Sequence, residues 1–144
     1  MTNIGLMIYY LGIGIKQGED RIFVSQKKFA KKILKKFKME GCAKVNILVK
    51  YEVRLSRNDE GEKISSTTFK SQVENLRYLE CTRPDILFEV ILMSRFMKTP
   101  TMTHLKALKR ILRYIKGTIG FGLFYNYSNN FDLVGIVILI GPKI

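Results

Sequence analysis

The stretch SQKKFAKKILKKFKM, residues 25–39, decides the reading of the fold. Phe29, Ile33 and Phe37 recur every fourth residue with Ala30 and Leu34 beside them, the spacing of one buried helix face. The opposite face carries Lys27, Lys28, Lys31, Lys32, Lys35, Lys36 and Lys38, seven lysines in the span 27–38 with no acid between them. A helix over 26–39 is expected, with Ser25 in the N-cap position and Gly41 as its stop. So dense a cationic face exceeds what solubility requires and suits the tracking of phosphates without reading bases; an ordinary solvated exterior is the plainer alternative.

Upstream, MIYYLGIGI (7–15) and RIFVS (21–25) are rich in β-branched and aromatic residues and flank KQGED, which reads as a β-hairpin. Downstream, 41–66 has no sustained period and includes SRNDEGEK (56–63), the best linker candidate. A second helix begins near Thr67 or Thr68 and runs to about Cys81, burying Phe69, Val73, Leu76 and Leu79. Pro84 opens a third over 84–97, whose expected buried face is Ile86, Leu87, Val90, Ile91 and Met97.

A fourth helix over 103–116 has the stripe Leu105, Leu108, Ile111 or Leu112, and Ile115, with Gly117 as its cap. Lys106, Lys109, Arg110, Arg113 and Lys116 cover its remainder, a second basic face. FGLFY (121–125) and FDLVGIVILI (131–140) then read as strands around NYSNN. The fold class is therefore α+β: an N-terminal hairpin, a basic helix, about three further helices and a C-terminal hairpin, together an incomplete domain.

Composition agrees with the basic faces. The 144 residues hold 25 Lys plus Arg against 12 Asp plus Glu, a net charge of +13, which attracts nucleic acid, anionic lipid or an acidic protein. Membrane binding would commit the apolar stripes to lipid, and those stripes are needed for a core, so no membrane partner is expected. Two cysteines, Cys42 and Cys81, make no disulfide framework and suit a reducing compartment. The apolar N-terminus lacks a basic leader, so an intracellular protein, cytoplasmic or nuclear and not secreted, is expected.

Chemistry is harder to place. Two-metal phosphoryl transfer needs two or three converging carboxylates. Glu19 and Asp20 fall in the hairpin turn, and Asp59, Glu60 and Glu62 in the linker. Asp85 and Glu89 share a helix face and could hold one metal weakly, although a solvated face or a helix N-terminal role for Asp85 is the better account. His104, with no cysteine near it in sequence, reads as a surface or capping residue. No catalytic residue, metal site or cofactor is expected.

Several stretches, read in order, resemble the polyprotein of copia-type long-terminal-repeat retrotransposons. They are IGLMIYYLGIGI (4–15), IFVSQKKFAKKILKKFKM (22–39), LRYLECTRPDILF (76–88) and PTMTHLKALKRILRYIKGTIGFGLFY (100–125), nearly the whole chain in the family's order and spacing. The resemblance implies the region of reverse transcriptase that follows the polymerase palm. It makes 1–25 a remnant of the last palm hairpin, with Tyr10, Leu11, Gly12 and Ile13 near the primer grip. It makes 26–64 a thumb-like helix and linker, 65–118 connection-like helices, and 119–144 the truncated start of ribonuclease H. Magnesium would serve only the intact family enzyme, and the partner implied is an RNA–DNA or DNA duplex, bound without sequence preference, with other segments of the polyprotein as further candidates.

Three departures from the family pattern matter. The paired polymerase aspartates would lie before Met1. Glu74 stands where a glycine commonly follows the valine. Where the family continues from LVG into Tyr-Ser-Asp-x-Asp-Trp-Ala, carrying a ribonuclease H metal ligand, this chain reads Gly135-Ile136-Val137-Ile138-Leu139-Ile140-Gly141-Pro142. One plausible coding of that family text is GGT TAT AGT GAT ATT GAT TGG GCC G; dropping one base from it gives GGT ATA GTG ATA TTG ATT GGG CCG, which encodes those eight residues. On that basis 136–144 reads as out of frame, with an apolar β-strand that arose in frame as the alternative.

The expectation is thus a degenerate fragment of a reverse transcriptase/ribonuclease H polyprotein that binds a template–primer non-specifically and catalyses nothing. A non-catalytic subunit of an RNA-directed DNA polymerase completed by another chain, and a non-functional product of a decayed element, remain open beside it.

Overall fold

The computed structural model describes residues 8–10, 12–18, 21–41, 43–44, 62–127 and 133–140; for 8–10, 126–127 and 133–140 only the course of the backbone is described. The elements in chain order are β1 (Ile8–Tyr10), β2 (Ile13–Gln17), β3 (Arg21–Ser25), α1 (Lys27–Lys36), α2 (Ser66–Leu79), a 3-10 turn (Pro84–Ile86), α3 (Leu87–Ser94), α4 (Met102–Gly117), β4 (Gly122–Tyr127) and β5 (Leu133–Ile140). The α+β class holds.

One antiparallel sheet runs in the order β1-β2-β3-β4-β5, so the two hairpins expected at opposite ends of the chain are neighbours. Their join is the β3–β4 ladder, which sets Phe23 opposite Phe124 with ring centroids 4.7 Å apart. Gly122 makes that approach possible. A Cβ there would lie 2.3 Å from the Val24 carbonyl oxygen, closer than any side chain tolerates. The N-terminal run 7–15 is not one strand but two, β1 and β2, folded back on each other with Tyr10 opposite Ile13. Gly12 takes a φ of +82° at the turn, a conformation open to glycine, and this splits the run.

The helices form a second layer with one shared core. Ala30, Ile33 and Leu34 of α1 pack with Phe69, Val73, Leu76 and Leu79 of α2, Val90 and Met93 of α3, and Leu108, Ile111, Leu112 and Ile115 of α4. The stripes expected for α1, α2 and α4 face the core, except that Phe29 and Phe37 of the α1 stripe are only half-buried, and in α4 Leu105 is half-buried and His104 replaces it inside. The helix of 84–97 departs further. Its first turn is 3-10 and α3 ends at Ser94, so Ile86, Val90 and Met93 face inward while Leu87 and Ile91 are exposed. Three residues at 3.0 per turn shift the phase of the α-helix that follows, which turns Leu87 and Ile91 outward.

Caps also differ from expectation. Gln26, not Ser25, is the N-cap of α1. The helix ends at Lys36, before Gly41, because Lys38 adopts a left-handed φ of 58°. Met39 N–H then donates to the Leu34 carbonyl at 2.7 Å and Lys38 N–H to Lys35 at 3.1 Å, the paired bonds of a Schellman cap, with Met39 buried. Ser65 caps α2, its hydroxyl accepting from Thr68 N–H. The described end of the expected linker, 62–64, runs antiparallel beside Pro100–Met102, with Ile64 N–H bonded to the Pro100 carbonyl; residues 45–61 lie outside the described residues.

Two substitutions should move stability in opposite directions. Lys38→Gly removes a left-handed residue that costs about 1–2 kcal/mol, less the extra unfolded-state entropy of glycine, so thermal denaturation should shift upward by a few degrees. Gly122→Ala should cost roughly 1–3 kcal/mol through overpacking against the β3 backbone. An unchanged melting temperature for Gly122→Ala would contradict the close β3–β4 approach.

Candidate nucleic-acid interface

Lys27, Lys28, Lys31, Lys32, Lys35 and Lys36 are all exposed along α1, over a buried strip of Ala30, Ile33 and Leu34. The helix is held by that strip and not by its charges. Lys27–Lys31, Lys28–Lys32, Lys31–Lys35 and Lys32–Lys36 are like-charge pairs one turn apart, together opposing the helix by about 1–2 kcal/mol at low salt. No acid sits in the first turn to meet the helix dipole, and Lys27 and Lys28 stand there instead. Ten residues of such sequence would not stay helical alone in water. The apolar contacts bear that cost, and a polyanion laid along the face would relieve it.

An open groove of about 560 Å³ lies beside this face. Lys28, Lys31, Lys32 and Lys35 of α1 form one wall, Lys116 and Ile119 the other, with Lys44 and Glu40 between and Leu34 in the lining. The two basic helices therefore converge at the end of α4. Lys116 Nζ donates to the Glu40 carbonyl, tying that end of α4 to the segment that follows α1. Lys27 and Lys36 flank the groove on the same helix without lining it. On α4, Lys106 and Lys109 are exposed while Arg110 and Arg113 are half-buried, and none of the four lines the groove.

The expected primer-grip segment lies elsewhere. Leu11 and the Tyr10 side chain fall outside the described residues, Ile13 is half-buried, and Gly12 occupies the β1–β2 turn. A Cβ built on Gly12 would sit 3.6 Å from Tyr78 Oη, so this turn lies against α2. Tyr78 in turn meets Phe29 edge-on, with centroids 4.8 Å apart.

Behind the groove stands a buried polar cluster that residue patterns did not bring forward. Arg83 is 2% exposed. Its Nε and Nη2 donate to the two carboxylate oxygens of Asp85 at 3.1 and 2.9 Å, Nη1 to the Thr118 carbonyl at 3.1 Å, and Nη2 to Thr118 Oγ1 at 2.6 Å. Tyr114 Oη donates to Asp85 at 2.6 Å, and the guanidinium faces the Tyr114 and Phe121 rings at 5.6 and 5.4 Å.

Asp85 sits in the first turn of the 3-10 segment, the helix N-terminal place expected of it, and there both its oxygens serve Arg83 and Tyr114. Among the described residues no group of three or more His, Cys, Asp or Glu could hold a metal ion. His104 is fully buried rather than at the surface, and it does cap: its Nδ1 accepts from Thr101 N–H at 3.0 Å while the ring stacks on Phe96 at 4.0 Å.

Comparison with known proteins finds relatives at the level of sequence. The chain is 35% identical over 125 residues, 87% of its length, to the retrovirus-related Pol polyprotein from transposon RE1 of Arabidopsis thaliana, of which it covers 8%. It is 30% identical over 138 residues, 90% of its length, to the Pol polyprotein from transposon TNT 1-94 of Nicotiana tabacum, covering 10% of that protein. The chain is homologous to a segment of copia-type retrotransposon Pol polyproteins.

An uncharacterized mitochondrial protein of Arabidopsis thaliana is 34% identical over 133 residues, and the chain spans 55% of it. No protein-family profile and no solved structure matches. In this chain the stretch LRYLECTRPDILF holds Arg83 and Asp85, and the long basic stretch holds Tyr114, Lys116 and Thr118. Those two stretches meet in the buried cluster. No helix among the described residues is long and apolar enough to cross a membrane.

Two carboxyl and phenol groups in or beside the cluster depart from their ordinary ionisation. Burial pushes the Tyr114 hydroxyl from near 10 up to about 12, helped by its hydrogen bond to Asp85 and the charge there. Burial also raises the Glu89 carboxyl, its own backbone N–H opposing and the Asp85 charge adding to the rise, and Glu89 Oε2 has no hydrogen-bond partner among the described residues. A raised native pKa means the folded state holds the proton more tightly. The Tyr114 contribution is therefore complete below pH 10 and should be lost as pH rises from there through about 12. Chemical denaturation across that window should show this loss in the parent protein and not in Tyr114→Phe. Glu89→Gln should be neutral or stabilising at pH 7, since Glu89 opposes folding once ionised.

Proposed function

We propose that the chain is the thumb-like and connection-like part of a retrotransposon reverse transcriptase, running into the start of ribonuclease H, and that its groove receives the backbone of a nucleic-acid duplex without reading sequence. The supporting observation is the convergence of Lys28, Lys31, Lys32, Lys35 and Lys116 on one open groove with an uncharged lining residue, Leu34, among them. Lysines one helical turn apart lie about 5–6 Å from each other, a spacing able to meet successive phosphates. Base edges call for directed donors and acceptors, and the groove offers point charges.

In this reading 1–25 belongs to the last palm hairpin, 26–64 is the thumb-like helix and linker, 65–118 the connection-like helices, and 119–144 belongs to the start of ribonuclease H. The natural partner is an RNA–DNA or DNA duplex, and the chain performs no catalysis, the carboxylates of both active sites being supplied elsewhere in an intact polyprotein. Residues 136–144 are read as out-of-frame sequence after a one-base deletion. Genomic DNA lacking an aspartate-rich reading one frame away would exclude the deletion.

Binding measured over a salt series tests the interface. Affinity for an RNA–DNA duplex should fall linearly with log salt, with a slope of about −0.9 for each phosphate contacted, and should change little with base sequence. Replacing Lys31 and Lys35 by Gln should flatten that slope by about two units, while Lys106→Gln, away from the groove, should leave it nearly unchanged. Affinity that does not respond to salt would exclude phosphate tracking.

A further inference from the structure

Arg83 is a buried cation in a basic chain, and it is bonded to Thr118, the sequence neighbour of the groove residue Ile119. Its guanidinium spends its fork on Asp85 and on both oxygens of Thr118, between the rings of Tyr114 and Phe121. Tyr114 and Thr118 are four residues apart and share one face at the end of α4. Lys116, two residues from each, leaves the opposite side of that turn, where it reaches the Glu40 carbonyl and lines the groove with Ile119. Pinning one side of the turn therefore fixes the direction of the lysine on the other.

We propose that Arg83 is a positioning residue for the basic groove, clamping the last turn of α4 from within so that Lys116 is held across from the α1 lysines. The inference rests on the nucleic-acid reading above, and goes beyond it by assigning a buried arginine to the interface. A lysine at position 83 would keep the charge but lose the planar fork, since it has one nitrogen to place where Arg83 places three. Thr118→Val is the gentler probe: it keeps the shape of the side chain and removes the Oγ1 that accepts from Arg83 and donates to the Tyr114 carbonyl.

Two readouts separate positioning from bare stability. The first needs no nucleic acid: the rate of Lys116 acetylation by an amine-reactive reagent, read by mass spectrometry against Lys106 in the same molecule. Arg83→Lys and Thr118→Val should keep the parent's helical circular dichroism while speeding acetylation of Lys116 severalfold relative to Lys106. The second is the salt series with an RNA–DNA duplex, in which both variants should lower the slope by about one phosphate contact. In a Lys116→Gln background Arg83→Lys should add no further loss of affinity, because it acts through that lysine.

An unchanged Lys116-to-Lys106 ratio, or an equal loss of affinity with and without Lys116, would overturn the assignment. If the parent chain fails to bind the duplex, the nucleic-acid reading falls, and the acetylation ratio still decides whether Arg83 sets Lys116. Should Arg83→Lys not fold, Thr118→Val carries both comparisons.

Discussion

A buried guanidinium constrains everything around it. Left without partners in a low-dielectric interior, Arg83 would cost several kcal/mol, so the fold must bring it a carboxylate and oxygens in the right plane. It does so by placing Asp85 two residues on and by delivering Thr118 from the far end of α4. That requirement fixes the turn after α2, the 3-10 segment, the last turn of α4 and the approach to β4 relative to one another. Since β4 then pairs with β3, the same constraint sets where the helical layer meets the sheet. Specificity of arrangement, more than net stability, is what such a pair supplies.

The second constraint is the opposition between charge and burial along α1. Its lysines repel one another, and Lys27 and Lys28 stand at the unfavourable end of the helix dipole while Lys35 and Lys36 stand at the favourable one. Yet the helix forms because Ala30, Ile33 and Leu34 are almost wholly buried. Burial of apolar side chains at about 1.5–3 kcal/mol each outweighs the 1–2 kcal/mol of repulsion. Interactions that weaken a helix in isolation therefore persist on its outer face, where a polyanion can use them. Lys116 extends this face from a different helix, and the homology to Pol polyproteins gives both helices a common history.

Legibility followed the length and strength of the periodic signal. α1, α2 and α4 repeat their apolar residues over two or more turns, so most of each buried face is readable from spacing alone, and in α2 all of Phe69, Val73, Leu76 and Leu79. α3 has eight residues and no polar side strong enough to fix its phase, so spacing points Leu87 and Ile91 inward, whereas both stand exposed. The strand run 7–15 looked continuous because a single glycine in an apolar stretch does not announce a positive φ. Lys38 hid the end of α1, since lysine is not the residue expected at a left-handed position. Within the groove the α1 lysines were legible as a face, whereas Lys44 and Glu40 lie in a stretch without period and entered only through proximity.

By itself the sequence determined the class of the chain, the identity of its helices, its two basic faces and its kinship to copia-type polyproteins, because each is carried by local spacing or by ordered motifs. Only the tertiary structure decided that both hairpins share one sheet, that Lys116 alone of the α4 basic face joins the α1 lysines at one groove, and that Arg83 is a buried strut rather than one more surface charge. Composition counts Arg83 with the other cations. Its role depends on Thr118, 35 residues away, and pairing over such a distance leaves no periodic trace in the chain.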